Sequence, residues 1–330
     1  MRTRQIGPFE VSAVGLGCMS LSHAYGTPPP AEASAALLHK ALDLGYTFLD
    51  TAALYGFGAN ETLIGNTLKE RRGEYVLASK CGMTGVNGVR VIDGRPETLK
   101  RTCDESLARL KTDVIDLYYL HRLDKAVPIE ESVGGLADLV KAGKVRAIGL
   151  SEVSGATVRR AHAIHPIAAV QTEYSLWTRN PEYGVRQACD ALGIALVAFS
   201  PLARAFLTGK LRDISGLPPK DIRRGMPRFQ APHFVENLKL LDGFAALARE
   251  ADCTMGQLAL AWVLAQGQNI VPIPGTTNPE HLAENAGAAD VMLSAEMISR
   301  LNALINTRTV HGPRYSPAAQ ADIDTEEVPV

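Results

Sequence analysis

The chain has 330 residues, 46% of them hydrophobic, with 34 Lys and Arg against 35 Asp and Glu and a formal net charge of −1. That length can bury one large core, and the charge balance argues against nucleic acid or an anionic membrane as the main partner. Five scattered cysteines that never form CxxC argue against a disulfide frame or a structural zinc site and point to a reduced, cytoplasmic setting, and no run of about 18 apolar residues marks a membrane span.

From the N-terminus, Arg4 to Val11 holds an Ile-Gly-Pro-Phe turn between short extended pieces, which predicts a hairpin. Ala13 to Gly17 reads as a first buried strand. After the prolines at 28–30, Ala31 to Leu44 has helical spacing and stops at Gly45. The alternation then repeats. Strand-like runs occur at Phe48–Asp50, Tyr75–Ser79, Ile115–Leu120, Val145–Leu150, Ala168–Gln171, Ala195–Phe199 and Ile270–Ile273. Helical segments lie between them at Glu61–Lys69, Glu97–Leu110, Ile129–Ala142, Ala156–His165 and Val185–Leu192, and Phe234–Ala265 has room for two more. Eight strands, most separated by one helix, predict a single-domain (β/α)8 barrel over residues 1–330, because parallel strands need crossover connections. No GxGxxG opens the first crossover, which disfavours a dinucleotide-binding open sheet. The stretch from Gly312 mixes proline, small residues and acids, and residues 312–330 read as a flexible, loosely held tail.

In a barrel, residues just past the C-terminal strand ends converge on one mouth. Strand two ends in Asp50 with Tyr55 just beyond, strand three leads into Lys80, and strand four leads into His121. This set can move a proton. A free phenol has a pKa near 10, too high for an efficient acid at neutrality. An ammonium about 4 Å away, at an effective dielectric of about 20, favours phenolate by roughly 4 kcal/mol, or about three pKa units. Lys80 is therefore expected to tune Tyr55, with Asp50 holding Lys80 charged and His121 sharing the bond to a substrate carbonyl oxygen. Taken singly, each has a plainer role: a solvated lysine, a structural histidine, a tyrosine packing in a loop.

The motifs LDTAALYG, ASKCG, DLYYLHR and IGLSE resemble those of the aldo-keto reductase superfamily over nearly the whole chain. The resemblance implies Tyr55 as general acid, Asp50 and Lys80 as its tuning pair, and His121 as the residue that orients the carbonyl. It also implies reversible hydride transfer between a nicotinamide and an aldehyde, ketone or sugar-like substrate. Gly17 and Met19 would border the front of the pocket, and Ser151, Glu152 and Gln171 would hold the carboxamide. Tyr174 would stack on the ring, or else serve as a core aromatic. FSPLARAFLTGK is similar to the family's pyrophosphate loop, with Ser200, Pro201, Leu202, Arg204, Gly209 and Lys210 around the anion and alanines at 203 and 205 in place of glycines. Gly275, Thr276 and Thr277 would take a phosphate, and Glu284 and Asn285 the adenine edge.

Relatives often carry basic residues where Thr277 and Asn278 stand, so NADP(H) is the expected cofactor with NAD(H) as the alternative. His281, Arg223 or Arg224 would restore the missing charge, unless the last two form a solvated loop or lid. Cys18 and Cys81 read as packing, and His162 and His165 as helix-end residues rather than metal ligands. Two other functions share the fold: a non-catalytic subunit that binds a nicotinamide nucleotide, and a lyase using Lys80 as a Schiff base. The expected partner is a small carbonyl or alcohol, selected by residues 83–94, 211–232 and the tail from Thr307, with monomer and homo-oligomer both open.

Overall fold

The computed structural model describes residues 1–22, 24–86 and 89–328; Asn87 and Gly88 of the expected 83–94 loop, and Pro329 and Val330 of the tail, lie outside the described residues. Strands β1 (Thr3–Ile6) and β2 (Phe9–Ser12) pair antiparallel, as the turn signal predicts. The barrel strands are β3 (Leu16–Gly17), β4 (Phe48–Asp50) and β5 (Val76–Cys81), then, after an excursion, β8 (Ile115–Leu120), β9 (Val145–Ser151), β10 (Ile167–Glu173), β11 (Ala195–Phe199) and β12 (Ile270–Pro272). The excursion is an antiparallel ribbon, β6 (Met83–Val86) with β7 (Val89–Ile92), where the sequence had suggested only a loop.

The eight strands are parallel and neighbour one another in chain order from β3 to β12. Gly15 N donates to Pro272 O at 3.0 Å and Gly17 N to Pro274 O at 3.3 Å, joining the first strand to the segment of the last. Gly17 is required there, because a Cβ would stand 2.8 Å from Ile273 O.

Helices α1 (Ala31–Asp43), α2 (Ala59–Leu68), α3 (Pro96–Leu110), α4 (Ile129–Lys141), α5 (Gly155–Ile164) and α6 (Val185–Leu192) cover the first strands. The expected two helices over 234–265 are three: α7 (His233–Leu238), α8 (Leu240–Glu250) and α9 (Met255–Ala265). The extra break comes at Lys239, and a capping box between Thr254 and Gln257 starts α9. Helices α10 (Pro279–Gly287), α11 (Ala295–Leu304) and α12 (Pro317–Gln320) complete the chain.

Side chains alternate along each strand. Phe48, Ala78, Leu117, Tyr119, Ala147, Ala169, Val197 and Val271 fill the barrel interior, while Tyr118 and Ile148 pack outward under the helices. Each fully buried large aliphatic or aromatic side chain contributes about 1.5–3 kcal/mol. Ile6 and Val11 of the hairpin join the interior cluster and close its N-terminal end. The C-terminal end is left as the mouth.

The tail differs from its expectation. Arg314 is buried on Glu152 and Glu173. Asp324 accepts from Ser154 N, Ser154 Oγ and Thr157 Oγ1, and Glu326 accepts from Gly155 N, so two acids of the tail sit on the first turn of α5. Anions are favoured at a helix N-terminus. Composition suggested a loosely held arm; two of its acids meet donors at the start of α5. Among the described residues, no helix is long and apolar enough to cross a membrane.

Candidate active site

Adjacent strands bring the candidate groups together. Asp50 pairs in register with Ala78, so Lys80 lies two residues further along β5 on the same face. Lys80 is not beyond the strand, as the sequence suggested, but inside it, and it is fully buried. Its Nζ donates to Asp50 Oδ1 at 2.5 Å, to Thr51 O at 2.7 Å and to Tyr55 Oη at 3.1 Å. The second Asp50 oxygen accepts from Gln171 Nε2 at 2.7 Å, across the barrel. Tyr55 reaches the same point because the chain after Leu54 turns sharply: Gly56, Phe57 and Gly58 all have positive φ. Gly58 could not be larger, since a Cβ would stand 2.8 Å from Arg109 Cδ. His121 follows β8, and its ring meets that of Tyr55 edge-on, with centroids 5.9 Å apart.

The electrostatics correct one expectation. Burial is the largest influence on Tyr55 and raises its pKa; Lys80 pulls it down, Asp50 pushes it back, and the net direction is upward from 10. A lone ammonium would have favoured phenolate, but burial outweighs it, and the carboxylate 2.5 Å from that ammonium adds to the upward push. Burial alone would lower the Lys80 pKa, yet Asp50 and Tyr55 outweigh it, so the ammonium is held above the ordinary lysine range. The result is a protonated phenol beside a fixed cation. Burial also raises the thiols of Cys18 and Cys81, which suits a packing role for both.

The mouth opens into a cavity of about 810 Å³. Asp50, Tyr55 and His121 line one end together with Gly17, Met19, Ser151 and Gln171. Ser200, Pro201, Leu202, Arg204 and Lys210 follow along one wall. Gly275, Thr276, Thr277, His281, Glu284 and Asn285, after the last strand, also line it.

Three residues expected there lie elsewhere. Tyr174 is three positions past Gln171 and therefore faces away from the mouth, packing on Trp262 and donating to Glu182 Oε1 at 2.7 Å. Glu152 has a φ of 55° and turns its carboxylate to Thr172, Glu173 N and Arg314 instead of the cavity. Gly209 ends a turn against Met255. Arg204 does line the cavity, but Glu173 holds it at 2.8 Å, and its hydroxyl neighbours are Tyr25 and Tyr315. Glu173 is buried, which would raise its pKa, yet Arg204 and Arg314 bring it down to about 2.

Of the residues expected to restore the missing charge, His281 lines the cavity beside Lys210. Lys210 Nζ lies 3.3 Å from His281 Nε2, and His281 Nδ1 lies 3.4 Å from Thr276 Oγ1. Arg223 pairs with Asp221, and Arg224 is spent on the carbonyls of Ser215, Leu217 and Pro218. Sequence reasoning missed Phe199 and Arg122, although both stand where the strand-end rule applies: Phe199 ends β11, and Arg122 directly follows His121. The tail from Thr307, expected to help select the substrate, brings Tyr315, Ser316 and Ala319 to the cavity wall; no local pattern singles out these three.

Fold and site together define a (β/α)8 barrel with a buried carboxylate–ammonium–phenol chain at the mouth of a long cavity. The sequence profile of the Aldo/keto reductase family matches residues 13–306. The chain is 44% identical over 336 residues to "Aldo-keto reductase yakc [NADP(+)]" of Schizosaccharomyces pombe, covering 99% of this chain and 98% of that one. It is also 44% identical to "Probable aldo-keto reductase 1" of Glycine max, over 93% of this chain and 89% of the other. Among solved structures it resembles a glycerol dehydrogenase from Gluconobacter oxydans, with a TM-score of 0.85 and 28% identity over 96% of this chain and 98% of that one. The aldo-keto reductase AKR11C1 from Bacillus halodurans, in its holo form, gives a TM-score of 0.78 and 27% identity over 93% and 97% of the two chains. The protein belongs to the aldo/keto reductase family.

Proposed function

We propose that the protein is an NADPH-dependent carbonyl reductase, acting on a small aldehyde or ketone with Tyr55 as the proton donor. The observation that carries this reading is the buried Tyr55 hydroxyl, 3.1 Å from an ammonium that Asp50 keeps charged, lining a cavity of about 810 Å³. When bound, the cofactor supplies a hydride to the carbonyl carbon and leaves as NADP⁺, while the Tyr55 proton goes to the carbonyl oxygen, giving an alcohol. Lys80 stabilises the phenolate left behind, and His121 orients the carbonyl oxygen towards Tyr55. Solvent then restores the phenol's proton.

The residues present suit the cofactor. Ser151 and Gln171 would hold the carboxamide, and Phe199, rather than Tyr174, offers a ring face at the cavity wall for offset stacking. The loop after β11 would take the pyrophosphate on backbone donors. Lys210 and His281, beside Thr276 and Thr277, form a cationic corner fit for a 2′-phosphate, and the NADP(+) in the yeast relative's name agrees with that choice. The lyase alternative is disfavoured because a lysine held as ammonium is a poor nucleophile. The test is a fluorescence titration with NADPH and NADH, followed by addition of a panel of aldehydes and ketones. Tighter binding of NADPH and its oxidation by members of the panel are expected; binding without turnover across the panel would overturn the reading.

A further inference from the structure

The cations that line the cavity are not alike. Arg90 is held by Asp322, Arg204 by Glu173 at 2.8 Å and Arg223 by Asp221 at 2.7 Å. Lys210 stands beside His281. Arg122 stands at the catalytic end, half-buried, and among the described residues no carboxylate pairs with it. Its Nη1 donates to His121 O at 2.7 Å and to Ser151 Oγ at 3.2 Å, two neutral acceptors that fix the plane of the guanidinium.

A guanidinium has five N–H donors in a rigid fork. With Nη1 anchored, the edge formed by Nε and Nη2 keeps three donors and meets no protein acceptor among the described residues. That edge has the geometry for a bidentate carboxylate. Its position follows from the chain, because Arg122 directly follows His121, and its charge is among those acting on Tyr55. The barrel thus carries a fixed, uncompensated cation next to the point where the carbonyl reacts. Nearby cations farther along the wall have already been neutralised by the protein's own acids.

We infer that the preferred substrate carries a carboxylate within a few bonds of the reacting carbonyl, and that Arg122 receives it. This inference rests on the reductase reading above and narrows it to oxo acids. The carboxylate takes no part in the reduction; it sets the pose in which the carbonyl oxygen meets Tyr55 and His121.

The test compares 3-formylbenzoate with its methyl ester, each with NADPH, in the wild type, Arg122→Gln and Arg122→Lys. A charge-assisted bidentate contact predicts a kcat/KM about 10- to 100-fold higher for the acid in the wild type, expressed mainly in KM. Arg122→Gln should lower the acid's kcat/KM by about that factor more than the ester's, and Arg122→Lys should restore part of it. Equal kcat/KM for acid and ester in the wild type overturns the inference. So does an equal fall for both in Arg122→Gln, which would mark Arg122 as a prop for His121 and Ser151. Quenching of the NADPH-loaded protein by benzoate and benzamide reads the same preference without turnover. Tighter benzoate binding that is lost in Arg122→Gln, without reduction of any carbonyl, would sustain the carboxylate site and overturn the reductase reading.

Discussion

The Asp50–Lys80 and Glu152–Arg314 pairs are both buried and both 2.5 Å long, yet they come from the chain in different ways. Asp50 and Lys80 are 30 residues apart, the ends of two neighbouring strands joined by one crossover. Glu152 and Arg314 are 162 residues apart, and they meet only because the tail folds back over the mouth. The first pair is set by strand register, the second by tertiary closure. Both take charges out of water, and each is held by several further donors or acceptors, as burial of an ion pair requires. The difference is in what each pair serves: one faces the Tyr55 phenol, the other binds the wall that frames it.

Breaking each pair separates these roles. Lys80→Met should lower turnover by about 10²- to 10⁴-fold and destabilise the fold by about 3–5 kcal/mol, because Asp50 stays buried without its cation; kcat and the denaturation midpoint check this. Arg314→Met should cost about 3 kcal/mol, since Glu152 loses its cation while Glu173 keeps Arg204. Its signature is faster hydrogen exchange at the amides of 321–326, which a Lys80 variant should not produce.

Acid should act on the tail side as well. Glu173 has a folded pKa of about 2 against an ordinary carboxylate value near 4.5. Its stabilising contribution is complete above about pH 4.5 and is lost as pH falls towards about 2. A Glu173→Gln variant should show a shallower decline of stability over that window. The phenol behaves oppositely: reduction needs the protonated form, and Tyr55 lies above 10. The kcat for reduction should therefore stay flat from about pH 6 to about pH 9 and fall only as pH rises through the Tyr55 pKa. The smallest effect belongs to the loop after β11. Ala205 has a φ of 74°, where glycine is favoured, so Ala205→Gly should shift stability by no more than about 1 kcal/mol, strain relief offsetting added chain entropy.

Local patterns made the barrel legible. Phe48–Asp50, Ala195–Phe199 and Val185–Leu192 coincide with the observed elements because apolar period and glycine punctuation act over a few residues. The strand-end rule likewise grouped Asp50, Tyr55, Lys80 and His121, which the strands bring close together, with Lys80 one position inside the end of its strand. The resemblance placed Tyr174 and Glu152 at the cofactor, but register parity and a left-handed φ turn those side chains away from the cavity. The seated tail, and with it Tyr315 on the cavity wall, depends on contacts with residues far away in sequence, which periodicity does not record. The Tyr55 shift was misjudged for a related reason: a pairwise estimate counted the ammonium but omitted burial and the carboxylate behind it.

Proton donation by the Tyr55 hydroxyl is the step on which the proposed reduction depends. It is tested most directly by removing that one oxygen in Tyr55→Phe and measuring both NADPH affinity and single-turnover reduction of an aldehyde that the wild type accepts. The expected result is a dissociation constant within about threefold of wild type and a reduction rate lower by about 10²- to 10⁴-fold. A Tyr55→Phe protein that reduces the aldehyde at the wild-type rate would contradict it.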